Sequence, residues 1–185
     1  ILAGDALLTE AFNILAQPAE GGDIKDQSRA LKTLHRIAAE SGAAGMVGGQ
    51  VLDLQLTGQP LDKNDGEILR AMHAKKTGGL IKAAAIAGAI MASANETTIK
   101  AIETYATHLG LAFQIVDDIL DVEGASDALG KTVGKDAAAG KITYPSMYGM
   151  QESRQLADNA VTAALEALET EGLGGRLSDI ANWVL

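Results

Sequence analysis

The sequence predicts an all-α protein, a bundle of helices around one core. Of its 185 residues, 47% are hydrophobic but only 3% are aromatic, so the core consists mainly of Leu, Ile, Val, Met and Ala. Small and unbranched side chains of this kind suit closely packed helices better than sheets. No alternating strand pattern or hairpin signal stands out, and the length suffices for one sizeable core. We therefore expect residues 1–185 to form a single all-α domain.

In the first half of the chain, apolar residues recur at helical spacing. The predicted segments, in order, are residues 7–15, 31–38, 51–56, 67–76 and 80–94. They are separated by Pro18 and the loop at 20–23, by a glycine-dense stretch at 42–49, by a turn at 57–60, and by Thr77-Gly78-Gly79. The apolar run 83–94 is too short to cross a bilayer, so we predict a buried helix and no transmembrane segment.

The second half begins with a long helix from Ile99 to Val122. The stretch Asn95-Glu96-Thr97-Thr98 precedes it and provides an N-cap, since short polar side chains accept hydrogen bonds from the free N–H groups of a first turn. A loop rich in glycine and charge follows at 124–140. Shorter helices are then predicted at 142–150, 152–170 and 177–185.

The charge and the absence of cysteine exclude several classes of function. A formal net charge of −9 argues against general binding to nucleic acid, whose affinity depends on Lys and Arg. With no cysteine, the chain has no disulfide, no thiolate zinc site and no cysteine nucleophile. Binding of small anions by a few local cations remains compatible with this composition.

The chain starts at Ile1 inside an apolar helical pattern, with no initiator Met and no leading cap. We therefore expect it to be part of a longer protein. A targeting sequence would lie in the other part, so this stretch says nothing about targeting.

Three aspartates interrupt a helix that is otherwise apolar nearly all round. At 100° per residue, Asp121, Gln114 and Asp118 lie at about 40°, 60° and 100° from Asp117, in one sector. Buried carboxylates repel each other and lose hydration unless something compensates them. Mg²⁺ would do so, because it joins one or two carboxylates to a substrate phosphate. The alternative is a solvated aspartate sector at the mouth of a groove.

Cations occur at three other places in the chain. Lys75 and Lys76 lie at the predicted helix interruption with the Thr77 hydroxyl, and the glycines there would expose carbonyl groups such as that of Lys76. Lys131 and Lys135 lie in the glycine-rich loop, and Lys141 follows it. Each group alone is typical of a solvated helix end or a surface loop. Together with carboxylates that bind Mg²⁺, they predict a diphosphate site.

At these residues the sequence resembles the trans-isoprenyl diphosphate synthases, which include the farnesyl, geranylgeranyl and longer-chain synthases. The stretch containing Asp117-Asp118-Ile119-Leu120-Asp121 resembles the second aspartate-rich motif of the family, and Lys76-Thr77-Gly78 resembles its Lys-Thr kink. The matching stretches, in family order, are 4–8, 48–54, 76–78, 110–121, 129–136 and 141–145. They cover nearly the whole chain.

The resemblance implies the isoprenoid synthase type of helical bundle, around a deep apolar cavity. It implies a short-chain prenyltransferase: Mg²⁺ assists ionisation of an allylic diphosphate, and isopentenyl diphosphate attacks the cation. By position, Asp117 and Asp121 would serve the Mg²⁺–diphosphate cluster, with Asp118 beside them and Asp53 near the metals. It also implies a homodimer, and we expect a cytoplasmic location.

The resemblance assigns further roles around the diphosphate. Lys76, Lys131 and Lys141 would hold the leaving group, while Thr77, Gln114 and the carbonyl of Lys76 would face the carbocation. The physics agrees, because a departing diphosphate needs its charge neutralised and a cation needs oxygen dipoles with water excluded.

The first aspartate-rich motif of the family, with its arginines, is expected before Ile1, together with the N-terminal helices of the bundle. We therefore expect this chain to be the C-terminal portion of a larger isoprenoid synthase domain, inactive alone. Two alternatives stay open. One is a non-catalytic regulatory subunit or helical scaffold of the same family. The other is a class I terpene cyclase, which the low aromatic content disfavours.

Overall fold

Helices form throughout the described part of the chain, which in this computed structural model comprises residues 1–17, 20–58, 65–124 and 141–185. The helices are α1 (Leu2–Ala16), α2 (Ile24–Ser41), α3 (Met46–Leu56), α4 (Asp65–His73), α5 (Gly79–Met91), α6 (Glu96–Glu123), α7 (Tyr144–Tyr148), α8 (Met150–Glu169) and α9 (Arg176–Trp183). Within these ranges there is no strand. The predicted all-α class is confirmed.

The long helix α6 is the centre of the fold and packs most extensively against α8. Asn95 caps it as predicted, since its side chain accepts a hydrogen bond from the backbone N–H of Thr98 at 2.8 Å, but the helix starts at Glu96, before the predicted Ile99. One core cluster joins α6 to α8 and α9 through buried side chains that include Tyr105 and Leu168. The Tyr105 hydroxyl also donates to the carbonyl of Leu177 at 2.8 Å, which ties α9 to α6.

A second core cluster lies towards the other end of α6. Leu69 and Met72 of α4 meet Ile115 and Ile119 of α6 there, with Tyr144 of α7 completing the contact. This cluster fixes α4 and α7 against the turn of α6 that carries the aspartates. It therefore places the carboxylates beside residues that are distant in sequence.

The predicted helix break at Thr77-Gly78-Gly79 is wrong. The chain stays helical from Asp65 to Met91, and the five residues Ala74–Gly78 form a π-helical turn between α4 and α5. Gly79 keeps right-handed helical angles, φ −58° and ψ −48°. Glycine accommodates the wider turn without leaving the helix, and such turns occur frequently at functional sites.

Helix α1 packs on α2 but buries none of its own residues. Apolar side chains such as Leu2 and Leu7 are exposed there. Among the helices described, none has both the length and the apolar character needed to cross a membrane.

Candidate active site

A small polar cavity lies where α3, the π-turn and α6 meet the segment before α7. Its volume is about 140 Å³. The residues that line it are Asp53, Met72, His73, Lys76, Thr77, Gln114, Asp117, Asp118, Lys141, Ile142 and Thr143. Seven of the residues predicted for the site therefore meet in one place, although they come from four separate stretches of the chain.

Lys76 and Asp53 form a close charged contact in the cavity. The Lys76 Nζ lies 2.6 Å from Asp53 Oδ2, and the two side chains are 30% and 10% exposed. Asp53 belongs to α3 and Lys76 to the π-turn, so the pair links these two elements. Each charge compensates the other in a largely desolvated place.

The aspartates of α6 have three different environments. Asp117 is exposed and lines the cavity, Asp118 is buried and lines it, and Asp121 is partly buried one turn further on, outside the lining. Asp118 Oδ2 accepts a hydrogen bond from the backbone N–H of Tyr144 at 2.8 Å. Gln114 is buried and reaches the cavity from the preceding turn. The predicted common sector thus holds for Gln114, Asp117 and Asp118.

The segment that follows the glycine-rich loop is held by local hydrogen bonds as well as by Asp118. The Thr143 side chain accepts from the backbone N–H of Ser146, and the Ser146 hydroxyl in return accepts from the N–H of Thr143. This capping box starts α7 with Pro145 in its first turn. Lys141, partly buried just before it, lines the cavity. Lys131 and the rest of 125–140 lie outside the described residues.

Sequence reasoning missed a group of aromatic and basic residues beside the cavity. The buried His73 stacks on Tyr144, with ring centroids 5.8 Å apart and an interplanar angle of 28°. Burial raises the pKa of Tyr144, and the neighbouring Arg70 partly opposes that effect. Tyr144-Pro145 is evident in the sequence. Its contact with His73 is not, because that contact depends on the packing of α4 against α7.

The donor set fits Mg²⁺ only in part. Over the described residues, no three His, Cys, Asp or Glu side chains converge as a ready metal cage. Mg²⁺ characteristically keeps several waters and uses one or two carboxylates together with substrate phosphates. The Asp117 carboxylate at the cavity suits such a shared site. Asp53 and Asp118 each have an oxygen already engaged, by Lys76 and by the Tyr144 backbone.

The described helices form an all-α bundle whose polar cavity is lined by lysines and aspartates. The sequence matches the polyprenyl synthetase family over residues 1–171. The chain belongs to that family.

Several relatives are known by sequence and by structure. The chloroplastic geranylfarnesyl diphosphate synthase of Leucosceptrum canum is 42% identical over 168 residues, which cover 91% of this chain and 45% of that protein. The farnesyl diphosphate synthase of Micrococcus luteus is 41% identical over 170 residues, covering 92% of this chain and 56% of that protein. The apo structure of an FPP/GFPP synthase from Zymomonas mobilis aligns with a TM-score of 0.76 and 29% identity, over 100% of this chain and 60% of its own. The chain thus spans about half the length of the curated relatives it matches.

Proposed function

We propose that the protein is a short-chain prenyltransferase, which condenses isopentenyl diphosphate with an allylic diphosphate. The observation that carries the proposal is the meeting of Lys76, Lys141 and Asp117 on one cavity in a polyprenyl synthetase. The names of the relatives, farnesyl and geranylfarnesyl diphosphate synthases, support the same chemistry. The proposal concerns the intact protein to which this chain belongs.

The reaction needs a place that stabilises two opposite charges at once. The C–O bond of the allylic diphosphate breaks, the double bond of isopentenyl diphosphate attacks the resulting cation, and a proton then leaves. Lys76 and Lys141 would bind the oxygens of the departing diphosphate, because charge-assisted hydrogen bonds favour the charged product. Thr77 and Gln114 would offer oxygen dipoles to the carbocation, with Gln114 only 7% exposed and so shielded from water.

Magnesium is part of the proposal as the partner of the carboxylates. Asp117 would hold it, with Asp121 from the next turn, and Asp118 and Asp53 would lie beside them. Bound Mg²⁺ supplies Lewis-acid neutralisation of the diphosphate. In support of this, the lining of the cavity combines carboxylates, Asp117 among them, with Lys76 and Lys141.

The deciding experiment uses the intact protein with Mg²⁺, isopentenyl diphosphate and either dimethylallyl diphosphate or a longer allylic primer. We expect longer prenyl diphosphates, detected by mass spectrometry, and none after chelation of Mg²⁺. Failure to condense any primer would contradict the proposal and favour the non-catalytic family member. Cyclic hydrocarbon released from an allylic diphosphate alone would favour the terpene cyclase instead.

A homodimer and a cytoplasmic location stay predictions alongside the activity. Light scattering of the intact protein tests the first: a mass of two chains agrees with it, and a monomer contradicts it. Fluorescence microscopy of the intact protein, tagged at the end opposite any targeting sequence, tests the second.

A further inference from the structure

The π-turn Ala74–Gly78 carries both Lys76 and Thr77, yet it is packed between two other helices. It contacts α3 on one side and α6 on the other. At both contacts the opposing residue is a glycine: Gly49 in α3 and Gly110 in α6. The role of these glycines rests on the proposed function of the turn.

Gly49 is in direct contact with the backbone of Lys76. A Cβ at position 49 would lie 2.3 Å from Lys76 N, 2.6 Å from its Cα and 2.8 Å from its Cβ. No rotamer change relieves such a clash, since the atoms belong to the backbone or to the Cβ itself. Ordinary contact begins at 3.4 Å, so α3 and the turn would have to separate by about 1 Å.

Gly110 makes the corresponding contact from α6. A Cβ there would lie 3.0 Å from Gly78 Cα, which a displacement of a few tenths of an ångström relieves. Gly110 is four residues before Gln114 on the same helix. Its approach to Gly78 therefore sets how far Thr77 stands from the α6 wall of the cavity.

We propose that Gly49 and Gly110 are positioning residues. Because they carry no Cβ, α3 and α6 pack directly against the backbone of the π-turn, and this packing places Lys76 and Thr77 in the diphosphate cavity. We call the two glycines and the turn between them the clasp. The clasp also keeps the Lys76 Nζ within 2.6 Å of Asp53 Oδ2, because Gly49 and Asp53 are one turn apart on α3. Neither glycine lines that cavity.

The test compares Gly49→Ala and Gly110→Ala with Gly88→Ala in the intact protein. Gly88 is a matched control, because it lies in a helix and a Cβ there has no neighbour within 4 Å. For Gly49→Ala we expect kcat/KM for the allylic diphosphate to fall by about 10²-fold, as a 1 Å misplacement can produce. Gly110→Ala gives a smaller fall, carried mainly by a higher KM, and Gly88→Ala gives none.

A second readout follows the placement of Lys76 without catalysis. Acetylation by an N-hydroxysuccinimide ester is followed by peptide mass spectrometry, with the exposed Lys100 as internal reference. We expect Lys76 to react several-fold faster in Gly49→Ala, because separation of α3 from the turn loosens the Asp53 contact, and at the parental rate in Gly88→Ala.

The outcomes separate this inference from the proposed function. If Gly49→Ala does not fold, Gly110→Ala decides. A folded Gly110→Ala with the parental KM for the allylic diphosphate overturns the clasp, even if its melting temperature is lower, since a change in stability alone is the result of packing. Faster acetylation of Lys76 in a protein that condenses no substrate supports the clasp while the proposed function fails.

Discussion

Replacement by alanine should affect two adjacent carboxylates differently: Asp118→Ala should mainly lower the stability of the fold, and Asp117→Ala should mainly lower turnover. Asp118 is 6% exposed, and its Oδ2 binds the Tyr144 N–H at 2.8 Å. Asp118→Ala leaves that N–H without its acceptor, and a hydrogen bond to a charged group contributes about 1.5–3 kcal/mol. Relief of the buried charge opposes part of this loss, so we expect a net destabilisation of about 2 kcal/mol.

For a chain of this size that loss corresponds to a fall in melting temperature of about 4–8 °C. Asp117 is exposed, so any charged contact that it makes is largely solvated, and Asp117→Ala should change stability by no more than about 1 kcal/mol. On the proposed function, the loss of this Mg²⁺ donor should instead lower turnover sharply and raise the Mg²⁺ concentration for half-maximal rate.

The assay is thermal unfolding followed by circular dichroism, alongside product formation across a Mg²⁺ titration. Asp118→Asn serves as an intermediate variant, because the amide keeps an acceptor oxygen for the Tyr144 N–H, and it should lose less stability than Asp118→Ala. The reasoning is refuted if Asp118→Ala melts with the parent, or if Asp117→Ala loses as much stability as Asp118→Ala.

Three further predictions concern other contacts. Lys76→Met should lower turnover by about 10²-fold. It should also destabilise the fold, because the Asp53 carboxylate is left without its cation. The double variant with Asp53→Asn should recover the melting temperature but not the turnover. Tyr105→Phe removes the bond to the Leu177 carbonyl and should cost about 1 kcal/mol in denaturant unfolding. Burial raises the pKa of Tyr105, so the folded state keeps the phenol neutral and the parent should lose stability as pH rises above about 10; a Phe variant with the same alkaline loss would contradict this. Asn95→Ala should lower the melting temperature by about 2–4 °C through loss of the α6 cap, and an unchanged value would argue against that cap.

The family resemblance grouped site residues from four separate stretches, whereas the features anticipated from the residues alone are those set by local chemistry. The start of α6 follows from Asn95, because an N-cap depends only on the residue and the free N–H groups that come next. The shared sector of Gln114, Asp117 and Asp118 follows from helical geometry alone. In each case the deciding atoms lie within a few turns of one helix.

What the sequence left open depends on contacts between distant segments. Glycines at 78 and 79 predict a break because glycine weakens a helix, yet packing against α3 and α6 keeps the turn helical and widens it. The helix predicted at 142–150 is shorter, Tyr144–Tyr148, since Thr143 caps it and Gly149 ends it at φ 80°. The binding of Asp118 to Tyr144 joins residues 26 apart in sequence, which no periodicity reveals.

Charged side chains of the cavity have partners on other helices, and a substrate that binds there has to replace some of these contacts. Lys76 is neutralised by Asp53, and Asp118 is engaged by a backbone N–H, so neither charge is left uncompensated in a partly desolvated place. A diphosphate alone would therefore have to displace Asp53 from Lys76 and meet the carboxylate of Asp117. Arrival with Mg²⁺ would remove both obstacles, because the metal would compensate the carboxylates while the diphosphate would replace Asp53 at Lys76. It follows that inorganic pyrophosphate should bind the intact protein far more tightly with Mg²⁺ than without it, and that Asp53→Asn should narrow this difference by releasing Lys76. Equal affinity in both conditions, measured by calorimetry, would rule out this coupling.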